Sequence, residues 1–326
     1  MSMLSRLRAA GLVASIAVVA TLTTACGGGS TESSEATTGE TVVIAGTMNG
    51  EVTVPAEPER VVALWNVGYQ LDELGVTPVG VLEQSYVESE LSPEKWDELS
   101  AIPTIGNTDD LDIDAIIELD PDVIVTMDNG LEFDYNELNA IAPTVSYYVE
   151  GPGDVWDAYE GIADAVGKGD VYDELSQGFD DGLAAVSSEF AGRLVDAQSI
   201  YVDAYQEGSA YVYTTRGLAA PRIEAAGFPY DQSWDEKAEW YGFDLDFELI
   251  SDLAPNAVIF YSADKDGEIS DEFTAALLDE PAFQQLPAVQ AGHLYPYRSL
   301  FVYTYEAAQR QVDDLRAAAE AYAAAE

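Results

Sequence analysis

Apolar and polar positions along the chain fall into two rhythms. Short runs such as Val61-Val62-Ala63-Leu64, Val123-Ile124-Val125 and Val258-Ile259-Phe260 have the length and β-branched character of strands buried on both faces. Elsewhere apolar residues recur three or four apart, which places them along one side of a helix. Leu175, Phe179, Leu183, Val186 and Phe190 make the longest such stripe, and it predicts a helical connector over 154–192. Strands alternating with helices predict an α/β fold with mostly parallel sheets covered on both faces.

The pattern also repeats. From Leu111 the chain reads LDIDAIIELDPDVIV, and from Leu245 it reads LDFELISDLAPNAVI, aligned without a gap from Leu111 with Leu245 to Val125 with Ile259. In each copy a helix-spaced apolar set, a proline turn and a buried strand are expected. A looser echo lies upstream, where 60–80 and 210–230 each show an apolar strand and then a helix, ending near Gly75 and Gly227. Two such units predict two lobes, 41–153 and 193–326, with the helical connector between them. The second lobe is expected to close in a helix over 307–324, rich in Ala, Arg, Glu and Leu. A helical connector predicts a stiff hinge.

The start of the chain carries no such pattern. Arg6 and Arg8 precede an uncharged apolar run over 9–22, the order of a secretory signal over 1–25. The only cysteine, Cys26, stands directly behind it and has no partner for an internal disulfide. Thr23-Thr24-Ala25-Cys26 resembles the lipobox of bacterial lipoproteins, although Thr23 stands where leucine is common. The resemblance implies lipidation of Cys26 and a place on the extracytoplasmic face of the cell membrane. An ordinary signal peptide with an incidental cysteine is the alternative. Residues 26–40, three glycines and then STESSEATTGE, have no apolar set to bury and read as a flexible tether.

Composition narrows the chemistry. The chain has 13 Lys+Arg against 60 Asp+Glu, a formal charge of -47, and losing Arg6 and Arg8 with the signal takes it two units lower, to -49. Such a field repels nucleic acid and anionic lipid. One histidine, His293, is too few for a protein-made zinc site, and while 60 acids leave a carboxylate site open, no metal site and no cofactor are expected. The chain lacks G-x-S-x-G, G-x-x-x-x-G-K-[ST] and a G-x-G-x-x-G behind a strand, which argues against an enzyme. A hydrolase working through paired carboxylates stays open among so many acids, as does an adhesive or structural lipoprotein.

Five further segments bear on family. Arg60-Val61-Val62-Ala63-Leu64 precedes Leu74-Gly75-Val76-Thr77-Pro78-Val79-Gly80, and Leu119-Asp120-Pro121-Asp122-Val123-Ile124 follows the first lobe's helix. Leu286-Pro287-Ala288-Val289 and Ala291-Gly292-His293-Leu294-Tyr295 stand near the end. In this order, from about Glu57 onward, the chain resembles the iron-siderophore, haem and cobalamin group of ABC-importer substrate-binding proteins. The resemblance implies two Rossmann-like lobes joined by a single long helix, with a small ligand held in the cleft between them and passed to a membrane permease driven by a cytoplasmic ATPase; a monomer is expected. A ferric siderophore is the expected ligand, with haem or cobalamin as alternatives. Ferric trihydroxamates are nearly neutral and catecholate chelates anionic, so the acidic body favours a hydroxamate unless the cleft is locally basic.

Ligand contacts in parallel α/β units gather beyond the carboxyl ends of strands. That rule selects Trp65, Asn66, Tyr69, Tyr86 and Asp128 in the first lobe. In the second it selects Thr215 and Arg216, Trp240 and Tyr241, Tyr261 and Ser262, and Arg298 on the rim. Tyr and Trp supply rigid contact area with a polar handle, and the arginine forks suit chelate oxygens. For docking on the permease, the resemblance implies one acidic residue on each lobe, and the repeat offers Asp114 and Glu248.

Overall fold

Two separate sheets gather the apolar runs. The computed structural model describes residues 39–326 apart from 66, 132, 152, 299–302 and 326, so Cys26, the signal, most of the tether and Asn66 lie outside the described residues. A hairpin opens the described chain, β1 (Thr41–Thr47) against β2 (Gly50–Pro55). The first lobe's sheet has β3 (Val61–Ala63), β4 (Gly80–Val81), β5 (Val123–Asp128) and β6 (Thr144–Tyr148) in the order β4-β3-β5-β6, all parallel. The second holds β7 (Ser199–Asp203), β8 (Ser209–Tyr213), β9 (Gly242–Asp246), β10 (Val258–Ala263) and β11 (Leu294–Arg298) in the order β11-β10-β7-β8-β9.

Around the first sheet run α1 (Gly68–Glu73), α2 (Pro93–Leu99), α3 (Ile113–Glu118), α4 (Tyr135–Ile141) and α5 (Asp154–Ala165). Then come α6 (Gly169–Glu189), α7 (Ala219–Ala225), α8 (Glu272–Asp279), α9 (Pro287–Gln290) and the closing α10 (Tyr305–Ala325). Helices on both faces explain why β3 and β5 are buried at every position and read as unbroken apolar runs. Each Val or Ile buried there contributes roughly 1.5–3 kcal/mol.

The fifteen-residue repeat falls on equivalent places, with a difference. In the first copy Asp112 caps α3 by accepting from Ala115 N at 2.9 Å, and β5 follows. In the second copy the turn is a 3-10 helix, Phe247–Leu253, and Asp246 makes no side-chain cap. Asp246 is the last residue of β9, and Phe247 N is taken by Gly208 O at 2.9 Å, so the chain enters its helix straight from a strand and winds tightly.

The looser echo is revised. Val61 pairs with Val123 and Ser199 with Val258, so β7 is the counterpart of β3, whereas β8, the strand in 210–230, runs antiparallel to both β7 and β9. The link over 204–208 is too short for a parallel crossover, and Gly208 at φ 85 turns the chain back on itself.

The connector is two helices rather than one. Gly167 has φ 67, and a Cβ on it would lie 2.5 Å from Ala56 O, so the helix stops at Ala165 and restarts at Gly169. α5 packs on β5 and β6 of the first lobe, and α6 packs against α7 and α10 of the second. The long helix is α6, whose 21 residues span about 30 Å. Its stripe of Phe179, Leu183 and Val186 is buried as expected. At Gly182 a Cβ would meet Val312 Cγ1 at 3.2 Å, which sets how closely α10 lies against it.

Candidate functional site

The carboxyl ends of β7, β10 and β11 open onto one cavity of about 530 Å3, marked by Asp203, Ser262 and Tyr297. Tyrosine rings make its walls. Tyr201 lies 4.6 Å from Tyr213 and 5.3 Å from Tyr297, centroid to centroid. Tyr201 and Asp203, two apart on β7, share a face of the sheet, which brings the ring and the carboxylate into the same space. Tyr205 and Tyr213 share a short hydrogen bond between their hydroxyls. Burial raises the pKa of Tyr201, Tyr213 and Tyr297, and pushes Tyr205 up to about 12, so all four offer neutral hydroxyls. Its described lining residues all belong to the second lobe, and the first lobe comes near one of them at Gly151, where an added Cβ would stand 3.3 Å from the Tyr241 hydroxyl.

A second cavity of about 250 Å3 lies beside the first, lined from both lobes. Of the 13 Lys+Arg, Arg6 and Arg8 precede Cys26, leaving 11 for the body, and four of these, Lys95, Lys265, Arg298 and Arg310, line it. Each meets a carboxylate: Asp72 at 2.9 Å, Asp266 at 2.7 Å, Asp314 at 2.7 Å and Glu306 at 2.9 Å respectively. The local balance is therefore near neutral on a strongly acidic body.

Between the cavities the lobes are tied by hydrogen bonds. Glu73 Oε2 accepts from Tyr305 N at 2.9 Å and from the Tyr159 hydroxyl at 2.8 Å, and Oε1 accepts from Glu306 N at 2.6 Å. Burial raises the Glu73 pKa, and these bonds offset only part of the effect. Gln70 Nε2 donates to Tyr303 O at 2.9 Å. Trp156, Tyr159 and Tyr172 pack around Tyr305 on the same side.

One arginine that the strand-end rule passes over belongs here. Arg222 on α7 is buried, with its guanidinium 5.0 Å from the ring centroids of both Trp156 and Phe179. It donates to Gln311 Oε1, an oxygen that also accepts from the Tyr297 hydroxyl at 3.0 Å, and desolvation lowers its pKa. A signal was present: Arg222 falls three after Ala219 and one before Ile223, on the buried face of α7.

The residues selected from sequence divide into three groups. Tyr69 lines the smaller cavity, its hydroxyl accepting from Val87 N at 2.7 Å, and Tyr241 lines the larger one. Arg298 also lines the smaller cavity, but Nε and Nη2 are already engaged by Asp314, so its fork is not open to a chelate. Arg216 and Trp240 are exposed near Tyr241; Arg216 Nη1 donates to Ala238 O at 3.3 Å, and Trp240 is 67% exposed.

Most of the remaining residues are held inside the lobes. Tyr86 is buried behind Tyr69, edge to face at 5.2 Å. Asp128 is fully buried, accepting from Gly130 N at 2.6 Å, Leu131 N at 2.9 Å and the Tyr135 hydroxyl, so it closes its own loop. Trp65 packs half-buried against the apolar cores. Tyr261 alternates with Ser262, and it is Ser262 that lines the cavity. Thr215 is bound to Asp235 through its backbone N and hydroxyl. His293 Nδ1 lies 3.2 Å from Ala257 O, and its ring packs on Tyr322. Asp114 and Glu248 are exposed in the first turns of equivalent helices.

Comparison with known proteins bears on this geometry. A family model described as periplasmic binding protein matches residues 65–299. The petrobactin-binding protein YclQ of Bacillus subtilis (strain 168) is 27% identical over 295 residues, 85% of this chain and 87% of that protein. The same organism's protein named probable siderophore-binding lipoprotein YfiY is 25% identical over 275 residues, 82% of this chain and 83% of that one. The solved siderophore periplasmic binding protein from the fuscachelin gene cluster of Thermobifida fusca is 28% identical, with a TM-score of 0.69, over 82% of this chain and 98% of its own.

Proposed function

Because the chain belongs to the periplasmic binding protein family, we propose that it is the extracytoplasmic substrate-binding component of an ABC importer and captures a ferric siderophore between its lobes. It then delivers the chelate to a membrane permease coupled to a cytoplasmic ATPase. The observation that carries this reading is the 530 Å3 tyrosine-walled cavity at the carboxyl ends of β7, β10 and β11, with Gly151 of the first lobe next to its Tyr241. Fixed aromatic walls with hydroxyl donors suit a bulky organic chelate whose outer surface is largely apolar. The names of the relatives, which include siderophore and petrobactin binding, point the same way.

The ligand class we assign is a ferric hydroxamate. No Lys or Arg is found among the described residues that line the larger cavity, and the body around it is strongly acidic. Both features favour a neutral complex over a multiply anionic catecholate. In this reading 41–153 and 193–326 are the capturing lobes of a monomer, 154–192 joins them, and Cys26 carries the membrane anchor through the tether over 26–40. Tryptophan fluorescence titrated with ferric hydroxamate, catecholate and citrate complexes, haem and cobalamin tests it. Saturable one-to-one quenching by a ferric trihydroxamate is expected. Saturation by haem or cobalamin alone would reassign the ligand, and no response to any of them would remove the transport reading.

A further inference from the structure

Asp203 closes β7 with its carboxylate on the larger cavity and is only 5% exposed. Oδ1 accepts from Ala204 N at 2.8 Å and from the Thr274 hydroxyl at 2.7 Å. Thr274 Oγ1 also stands 3.0 Å from Asp271 Oδ2, but its single proton serves one carboxylate at a time. Asp271 lines the same cavity and is held by Phe273 N and Thr274 N at the start of α8. Among the described residues, neither aspartate is in an ion pair. A buried carboxylate without a counter-ion is expensive, and burial accordingly raises the Asp203 pKa, with the Thr274 and Ala204 bonds acting against the rise.

What surrounds Asp203 is aromatic. Tyr201, Tyr205, Tyr213, Tyr241, Tyr297 and Tyr303 line the cavity, and their ring faces attract an organic cation. The smaller cavity next to it has the opposite make-up, with four basic side chains each already matched by an acid. Arg222 stands behind the wall, bound to the lining Gln311, but it is not itself a lining residue and pairs with neither aspartate, so the lining supplies no positive charge to them. A ligand that brings it would relieve the uncompensated carboxylate and fill an aromatic box in one step.

We propose that the larger cavity is a subsite for a protonated amine carried by the siderophore, with Asp203 as its counter-ion and the tyrosine rings as its walls. This rests on the reading of the ligand as a ferric hydroxamate and narrows it to one bearing a cationic side arm. Asp203 sets preference among chelates through charge, while the hydroxyls and rings hold the remainder of the ligand.

Three ferric trihydroxamates identical except at one end group form the test: a free primary amine, its trimethylammonium derivative and its N-acetyl derivative. Affinity is read by fluorescence quenching at pH 7 and constant salt. Wild-type protein should prefer the amine over the acetylated form by about tenfold or more. The trimethylammonium form should keep most of that preference, because charge rather than hydrogen bonding carries it. In Asp203→Asn the ratio should fall toward unity, with thermal unfolding checking that the variant folds. If that variant does not fold, the three-ligand series on wild-type protein decides alone. Equal wild-type affinity for the charged and acetylated chelates, or a ratio unchanged in Asp203→Asn, overturns the subsite and leaves the hydroxamate reading intact. Failure of all three to bind overturns the hydroxamate reading and the subsite with it.

Discussion

Glu73 accepts a hydrogen bond from Tyr305 N at 2.9 Å, so a carboxylate of the first lobe caps the closing helix of the second. The second oxygen takes Glu306 N, and both N–H groups belong to the first turn of α10, where a helix has donors without partners inside it. An acid at this end is also favoured by the helix dipole. Replacing Glu73 by Ala strips two donors of their acceptor and loosens the contact between lobes. We expect a loss of about 1–3 kcal/mol in denaturant unfolding, together with faster amide exchange at 305–309. An unchanged midpoint would show that solvent caps α10 equally well.

The same carboxylate gives a sign to the pH dependence. Burial is the leading cause of a raised pKa at Glu73, Glu90, Glu160, Asp164 and Asp203. An acid whose pKa is higher folded than unfolded binds more protons in the folded state between those two values. Stability therefore rises as pH falls from neutrality toward the unfolded carboxylate range of about 4. Asp271 is opposite: burial pushes its pKa up, but hydrogen bonds from Thr274, Ser270 and Phe273 outweigh that and hold it low, so its contribution is lost only at more acid pH. The unfolding midpoint should increase from pH 7 toward pH 5, roughly, and Glu73→Gln should flatten that slope. A midpoint that falls over this range would contradict the assignment.

Salt should act in the same direction as mild acid. With 60 Asp+Glu against 13 Lys+Arg, self-repulsion across the surface outweighs the few ion pairs of the smaller cavity. Raising the ionic strength to about 1 M shortens the screening length to about 3 Å. Thermal unfolding should move to higher temperature between low and high sodium chloride, and a decrease would mean that the ion pairs dominate.

Much of the architecture was legible because it rests on short-range rules. The repeat from Leu111 and Leu245 located β5 and β10, since a proline turn followed by a β-branched run leaves few alternatives. The direction of β8 was not legible, because it depends on the five-residue link behind Asp203 rather than on the apolar pattern. The site was harder for a related reason. The strand-end rule finds the right loops but does not say whether a side chain is already used, and Asp128 is consumed by Gly130, Leu131 and Tyr135. The tyrosines at 201, 213 and 297 lie within strands, where they read as core residues until the sheet brings them together.

Anchoring can be tested apart from binding. Cys26 is the only cysteine and follows the apolar run at 9–22 after Thr23, Thr24 and Ala25, so Cys26→Ser removes the one thiol available for lipid. A single acyl chain holds a protein to a membrane only marginally, whereas two or more hold it stably. The variant should appear in the soluble extracytoplasmic fraction with unchanged ligand affinity. Full retention in the membrane fraction would refute lipid attachment at this residue.

Docking on the permease provides the last test, and it follows from the repeat. Asp114 and Glu248 occupy the same position in the two copies, and both side chains are exposed in the first turn of their helix. Neither lines the larger or the smaller cavity. Two like charges on equivalent helices, one per lobe, suit a permease whose halves each present a basic group. Asp114 is one methylene shorter than Glu248, so Asp114→Arg alone should weaken docking less than Glu248→Arg alone. Exposed charge reversals leave folding within about 0.5 kcal/mol, and rim charges act mainly on encounter and register. The double variant should therefore bind ligand within about twofold of wild type, while uptake at limiting ligand and stimulated ATP hydrolysis fall by roughly tenfold or more. Normal uptake by the double variant would exclude these two acids from the docking surface.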